Sequence, residues 1–458
     1  MKNPTRKEID KSLKYSIAEG SVNSIKDGIE GNYIIPFALM LGATNEMIGM
    51  LSSIPDMIGI TVQTLTTKLI KMTKSKKLAN RTIKTIGNMF WLPIILIPLL
   101  FTNGFLWLMV FMCIRAIFSQ IDDTIWASWM ADIVPKKIRG TFFGKRNMFL
   151  NTTSFIASFL AGWILGLVEN PYGFMIIFSI AFIANFISIY LIGKISEMPD
   201  HREHKIKFSF KHFIWGIKNH SNYSNFVLYR TIMNFSIQIA APFWVVYVLR
   251  NLNIGYFWYA ISIVVYMIAN VLSQRYWGKM IDTFGEKKIM FVCAFMIPFA
   301  ALMMIFITNI STLMVERVFS GFVFSGFHIA SFNYLLSASP REDCSTFIAN
   351  YKVFAGLGGT LGPLVGGLLA AAFADKIIIG LGALQMLFLI AFILRFTATS
   401  IFLTRVHSLR IRRHIAFRNV FLKTAIVYPA YGMLHSVEYV VHSLHRWEDS
   451  FKSKLHHK

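Results

Sequence analysis

Twelve stretches of the chain are apolar over about the length that crosses a bilayer, and short polar breaks separate them. They fall at about residues 21–44, 46–67, 82–102, 104–131, 140–168, 172–194, 222–249, 254–277, 288–308, 310–336, 345–373 and 377–404. A hydrocarbon core of about 30 Å takes roughly 20 residues of α-helix. The breaks carry turn formers: Thr44-Asn45, Thr102-Asn103-Gly104, Glu169-Asn170-Pro171, Asn251-Leu252-Asn253, Thr308-Asn309 and Asp375-Lys376. The pattern predicts an all-α membrane protein with twelve transmembrane helices.

Composition agrees and removes the alternatives. The 458 residues are 55% hydrophobic and only 15% charged, with a mean hydropathy of +0.53, whereas soluble domains carry about 25% charged residues. A chain with 42 Phe and 23 Met has too much apolar surface to stay disordered. Cys113, Cys293 and Cys344 lie in or beside apolar runs and read as buried thiols rather than a disulfide framework.

The net charge of +23 does not point to nucleic acid, because the basic residues form short clusters between apolar runs. Lys68, Lys71, Lys74, Lys76, Lys77, Arg81 and Lys84 fall between the second and third runs, and Lys136, Lys137, Arg139, Lys145 and Arg146 between the fourth and fifth. Only Arg250 and Lys376 remain on the opposite side. Positive charge collects on cytoplasmic loops, which predicts a multi-pass cell-membrane protein with both termini in the cytoplasm. Residues 1–20 are polar, lack the apolar core of a signal peptide, and read as a cytoplasmic N-terminus.

The longest inter-span segment, 195–221, reads as a cytoplasmic linker with a short amphipathic helix, FSFKHFIWGIK. It divides the membrane part into six-helix bundles at 21–194 and 222–405. Residues 406–458 form a basic amphipathic cytoplasmic tail that is expected to lie on anionic lipid headgroups. His435, Glu438 and His442 in that tail have metal-compatible spacing, but on an exposed helix they read as solvated; no metal or cofactor is expected. The halves repeat one another. Met112, Arg115, Phe118-Ser119, Ala127-Ser128 and Pro135 in one are echoed by Met314, Arg317, Phe319-Ser320, Ala330-Ser331 and Pro340 in the other. Internal repeats of this kind underlie many transporters, whose substrate site lies near the midplane between repeats.

Between runs eight and nine the chain reads Gly278-Lys-Met-Ile-Asp282-Thr-Phe-Gly285-Glu-Lys287-Lys288. This resembles the loop motif of the major facilitator superfamily, G-x-x-x-D-x-x-G-x-[RK]-[RK]. Arg317-x-x-x-Gly321 resembles the family's arginine motif, and Gly358-x-x-x-Gly362-Pro363-x-x-Gly366-Gly367 its glycine–proline motif. The similarity extends over about residues 21–405 and is of prokaryotic type, with no substrate assigned. The resemblance implies two pseudo-symmetric six-helix bundles, a central cavity lined by spans one, four, seven and ten, and a cytoplasmic latch between Asp282 and the start of span five near Arg139. The equivalent first-half loop, Thr67 to Lys77, has lost both glycines and carries Lys71 at the acidic position. The glycine–proline motif sits in span eleven rather than five, so antiport is not read from it. Asp282 alternatively caps its own turn, with Lys287 and Lys288 as ordinary cytoplasmic-side cations.

Charges inside spans are costly and usually face a partner or an aqueous cavity. Arg115, Ser119, Asp122 and Trp126 share one face of span four, and Asn23, Asp27 and Glu30 one face of span one. Either Glu30 or Asp122 is a candidate proton-coupling carboxylate with Arg115 as its partner; the competing reading is a static ion pair. Arg317 is a further cavity charge. In span seven Arg230, Asn234 and Gln238 recur at i, i+4, i+8 and His328 lies in span ten; they are candidates for substrate contact or for helix packing.

The expectation is a secondary transporter, monomeric, not an enzyme, moving a small organic solute by alternating access with proton coupling and efflux slightly favoured. No phosphate-binding Gly-x-x-x-x-Gly-Lys-[Ser/Thr] segment supplies ATP drive. The alternative is a non-transporting receptor or scaffold on the same fold, signalling through the basic tail.

Overall fold

Long apolar sequence with few interior breakers folds here into helices, with a single isolated β-bridge between Ile378 and Leu381 among the described residues. The computed structural model describes residues 5–72, 75–135, 138–168, 170–197, 221–339, 344–374, 376–378 and 380–407. The linker helix and the basic tail lie outside those residues. Spans one and two run over Arg6–Met40 and Asn45–Met72, and span three is Lys76–Met89 followed by Trp91–Leu100. Spans four to six are Gly104–Ile133, Arg139–Leu167 and Tyr172–Ile192. Span seven is Ser221–Gln238 followed by Phe243–Val246 and a π-helical turn, Tyr247–Asn251. Spans eight to twelve are Tyr256–Phe284, Glu286–Ile305, Ile310–Ala338, Cys344–Ala372 and Ala383–Phe402. The protein is thus an all-helical membrane protein with twelve helical spans. Ten of them are long and apolar enough to cross a membrane. Spans one and two are long but more polar, carrying Lys26, Asp27 and Glu30 in one and Glu46 and Asp56 in the other.

Three departures from the hydropathy reading have local causes. Span one begins at Arg6, not near residue 21. Thr5 caps it, accepting from the Glu8 amide while the Glu8 carboxylate accepts from the Thr5 amide at 2.7 Å. Ser12, Leu13, Ser16 and Glu19 are buried, and Leu13 packs with Trp129, Met130, Ile133 and Phe142 of spans four and five. The polar N-terminal segment is therefore a packed helix with a polar inner face. Span three breaks at Phe90 because Pro93 has no N–H for the Met89 carbonyl. Span seven breaks after Gln238, where Pro242 cannot donate in turn.

The chain forms two compact units. The first comprises residues 1–205, 238–261 and 360–384, and the second 206–237, 262–359 and 385–458. Within the first, one end is closed by contacts between spans one, two, five and six and the ends of spans seven, eight and eleven. Arg250 Nη2 donates to the Ala43 carbonyl at 2.7 Å, and the Tyr259 hydroxyl to the Asn32 carbonyl at 2.8 Å. Phe174 meets Tyr256 edge-on at 5.6 Å. Gly49 is required for this closure, since a Cβ there would lie 2.6 Å from the Pro363 carbonyl oxygen and 2.8 Å from Gly367 Cα. The second unit has its own core around Trp277, Phe322, Phe327 and Tyr334, with Trp277 Nε1 donating to the Phe322 carbonyl at 2.8 Å.

Candidate functional site: buried charge within the spans

In the first unit Arg115 is 7% exposed and pairs with Glu30 of span one. Nη1 and Nη2 each lie 2.9 Å from a different carboxylate oxygen, a bidentate arrangement. The guanidinium also stands 4.0 Å over the Trp91 ring, which the break in span three brings to that depth. Lys26, one turn before Glu30, reaches it at 3.8 Å and Asp27 at 3.0 Å. Glu30 keeps 24% of its side chain open, so the pair is accessible from the carboxylate side.

Asp122 is elsewhere, accepting from Asn80 Nδ2 of span three, while Ser119 and Asp123 are exposed. Asp122 and Arg115 differ in level: seven residues along a helix is about 10.5 Å of rise. Asp122 therefore shares a face with Arg115 without sharing its depth. Lys26 is a member of the cluster that the sequence pattern did not single out, although its i,i+4 spacing to Glu30 was a usable signal.

A second buried cluster is made of cations that the sequence pattern places in cytoplasmic loops. Lys84 and Arg146 lie 8% and 9% exposed, facing Glu19 at 2%. Lys84 Nζ is 2.7 Å from Glu19 Oε1, Arg146 Nη2 is 3.6 Å from Oε2, and Ser188 accepts from Lys84 and donates to Glu19. Arg146 also rests 4.1 Å over Trp126. Their burial follows from the early start of span one, which carries Glu19 into the bundle. Lys76 near the same end pairs with Asp132 at 2.7 Å.

In the second unit Arg230 is 7% exposed; its Nε donates to the Tyr351 hydroxyl at 3.1 Å and its guanidinium lies 4.5 Å over the Phe327 ring. Asn234, one turn on, donates to the Ala355 carbonyl at 2.7 Å. His328 is exposed and stacks on Phe324. Gln238 ends the first helix of span seven. Arg317 pairs with its neighbour Glu316, which also accepts from Ser320. Arg395 of span twelve, not anticipated, is 5% exposed and donates from Nε and Nη2 to the Ser236 and Ile237 carbonyls at 3.3 Å each. Those are the carbonyls left open where span seven breaks.

The loop motif takes a compact form. Gly285 stands alone between spans eight and nine at φ +90°, ψ 154°, a conformation that only glycine adopts readily. Asp282 is exposed, Lys287 and Lys288 are half-buried, and Gly278 faces open space. Arg139 Nη2 donates to the Ala131 carbonyl at 2.8 Å at the end of span four. Of the cysteines, Cys293 is buried and Cys113 half-buried.

Twelve helical spans with ion pairs sunk in their core define a multi-pass membrane protein. The Major Facilitator Superfamily model matches residues 28–225 and 226–439, and the chain belongs to that family of secondary transporters. Among curated proteins it is 27% identical over 145 residues to the multi-drug resistance efflux pump PmrA of Streptococcus pneumoniae. That match spans 31% of this chain and 36% of the pump, about a third of each. Among solved structures, the nucleoside transporter NupG superimposes with a TM-score of 0.65 at 12% identity, over 86% of this chain and 98% of that one. A bacterial homologue of the human lysosomal transporter Spinster, inward-facing and unoccupied, gives 0.64 at 14% identity over 88% and 100%. A D-xylose–proton symporter gives 0.65 at 12% identity over 88% and 98%. At such identities these likenesses speak for the fold alone.

Proposed function

We propose that the chain moves a small organic solute by alternating access, driven by protons, with efflux as the favoured direction. The observation that carries this reading is the Arg115–Glu30 pair: bidentate, sunk in the first bundle, yet open on the carboxylate side. A carboxylate that loses its guanidinium in a low-dielectric interior takes up a proton, and one that regains it gives the proton up. Glu30 is then the coupling carboxylate and Arg115 its switchable partner, with Lys26 holding the local charge when they part. Asp122, bonded to Asn80, is the lesser candidate.

With the termini in the cytoplasm of a cell-membrane protein, the end closed by Arg250, Tyr259 and Gly49 faces outward. The contact between Asp282 and the Arg139 end of span five would close the opposite side in the other half of the cycle. The likeness to the multi-drug efflux pump from S. pneumoniae supports the direction. The protein is taken to act as a monomer.

The test is solute-evoked proton movement in proteoliposomes loaded with a pH-sensitive dye, across a panel of amphipathic aromatic solutes. Wild type should couple at least one solute to proton flux, and Glu30→Gln should abolish that flux while solute exchange survives. A panel that moves no protons in wild type, or full proton flux in Glu30→Gln, would sink the reading.

A further inference from the structure

Four arginines are buried among the described residues: Arg115, Arg146, Arg230 and Arg395. The protein answers three of them. Arg115 has Glu30, Arg146 has Glu19, and Arg395 has two backbone carbonyls. Arg230 is the exception. Its Nε has the neutral Tyr351 hydroxyl and its flat face has Phe327, but Nη1 is buried with no hydrogen-bond partner. It makes no ion pair with any carboxylate of the described residues. A buried cation without a counter-charge is unfavourable and is usually retained for a partner that arrives from outside.

The surroundings suit one kind of partner. Tyr351, whose hydroxyl accepts from Nε, is itself stacked on Phe226 at 5.8 Å, so it fixes the plane of the guanidinium while Nη1 stays without a hydrogen-bond partner. His328 is exposed, stacks on Phe324, and lies 6.1 Å from the Phe327 ring that Arg230 covers. A planar guanidinium with a free edge binds a carboxylate through paired N–H donors, and flanking rings suit an apolar or aromatic body.

We propose that Arg230 anchors a carboxylate on the transported solute, with Tyr351 as a positioning residue and Phe327, Phe324 and His328 flanking the solute's apolar part. This rests on the reading of the chain as a solute transporter and adds the sign and type of charge that the solute carries.

The test uses purified full-length protein, with 1-naphthoate and indole-3-acetate as probes and their neutral carboxamides as matched controls. Binding is read by equilibrium dialysis and by thermal stabilisation. Wild type should bind the carboxylates roughly 10- to 100-fold more tightly than the amides, the range of hydrogen bonds to a charged group. Arg230→Gln should erase that preference, Arg230→Lys should keep part of it, and Tyr351→Phe should weaken carboxylate binding by only about threefold to tenfold, one neutral hydrogen bond.

The ligand-free Arg230→Gln protein should unfold at or above the wild-type temperature, because it loses an unanswered charge; an arginine with a purely structural role would lower it. Equal binding of acids and amides by wild type, binding of neither, or a preference that survives in Arg230→Gln overturns the proposal. The transporter reading fails separately: carboxylate binding that depends on Arg230, without solute-evoked proton flux, would leave the anion site standing and remove transport.

Discussion

Among the described residues of the first unit each buried cation faces a carboxylate: Lys84 and Arg146 share Glu19, and Arg115 has Glu30, which half-buried Lys26 also approaches. In the second, Arg317 has Glu316, but Arg395 is held by backbone carbonyls and Arg230 by a hydroxyl and a ring. The difference is chemical as well as architectural. A carboxylate can leave its cation by taking up a proton, so an ion pair in a low-dielectric core can be opened by protonation. A peptide carbonyl has no such option at physiological pH, so a guanidinium bound to it is a fixed brace. Ion pairs thus hold the buried charge of the first unit, whereas in the second a guanidinium braces a broken helix.

Paired charge in the first unit is most vulnerable at Glu19, which balances two cations at once. Glu19→Gln leaves Lys84 and Arg146 buried without a counter-charge and should cost about 3–5 kcal/mol, the range for breaking a buried pair from one side. Lys84→Met should cost less, because Glu19 keeps Arg146. Reversible unfolding in mixed detergent measures both. If the two variants lose equal stability, or if Glu19→Gln is neutral, the first unit does not depend on paired charge.

Much of this was legible beforehand, and the misses have a physical pattern. The twelve spans follow from hydropathy, because a bilayer admits few alternatives to an apolar helix. Glu30, Arg115, Arg230 and His328 stood out as polar residues within apolar runs. Lys84 and Arg146 did not, since a cation one turn inside a bundle has the same sequence neighbours as one in a cytoplasmic loop. What moves them inside is Glu19, 65 residues away from Lys84 along the chain, on a helix whose outer face is polar. Arg395 was hidden for the related reason that its acceptors are backbone carbonyls in the last turn before the break in span seven.

That brace yields the next largest effect. Arg395→Met removes both donors from the Ser236 and Ile237 carbonyls, and the loss should be about 2–3 kcal/mol, offset in part by no longer burying a charge. Arg395→Lys, which lacks the forked donor geometry, should recover less than half of it. The sharper reading is local: hydrogen exchange of the amides at 239–246 should rise in Arg395→Met while the first unit stays protected. A uniform rise across both units would mean that Arg395 supports the core generally rather than the break in span seven.

The smallest effect separates the two chemistries most cleanly, because the same group is deleted in each. Ser188→Ala removes a hydroxyl that accepts from Lys84 at 2.8 Å and donates to Glu19 at 2.9 Å, both charged partners. Thr399→Val removes a buried hydroxyl that donates to the Ala294 carbonyl at 3.2 Å, a neutral one. Hydrogen bonds to charged groups contribute about 1.5–3 kcal/mol net against about 0.5–1.5 kcal/mol for neutral pairs. Ser188→Ala should therefore be the more destabilising by at least about 1 kcal/mol, and its deficit should shrink when Glu19 and Lys84 are replaced together by Leu and Met. The Thr399→Val deficit should not respond to that replacement. Equal costs, or a Ser188→Ala cost that persists without the charges, would place the stability of the first unit in packing and not in its ion pairs.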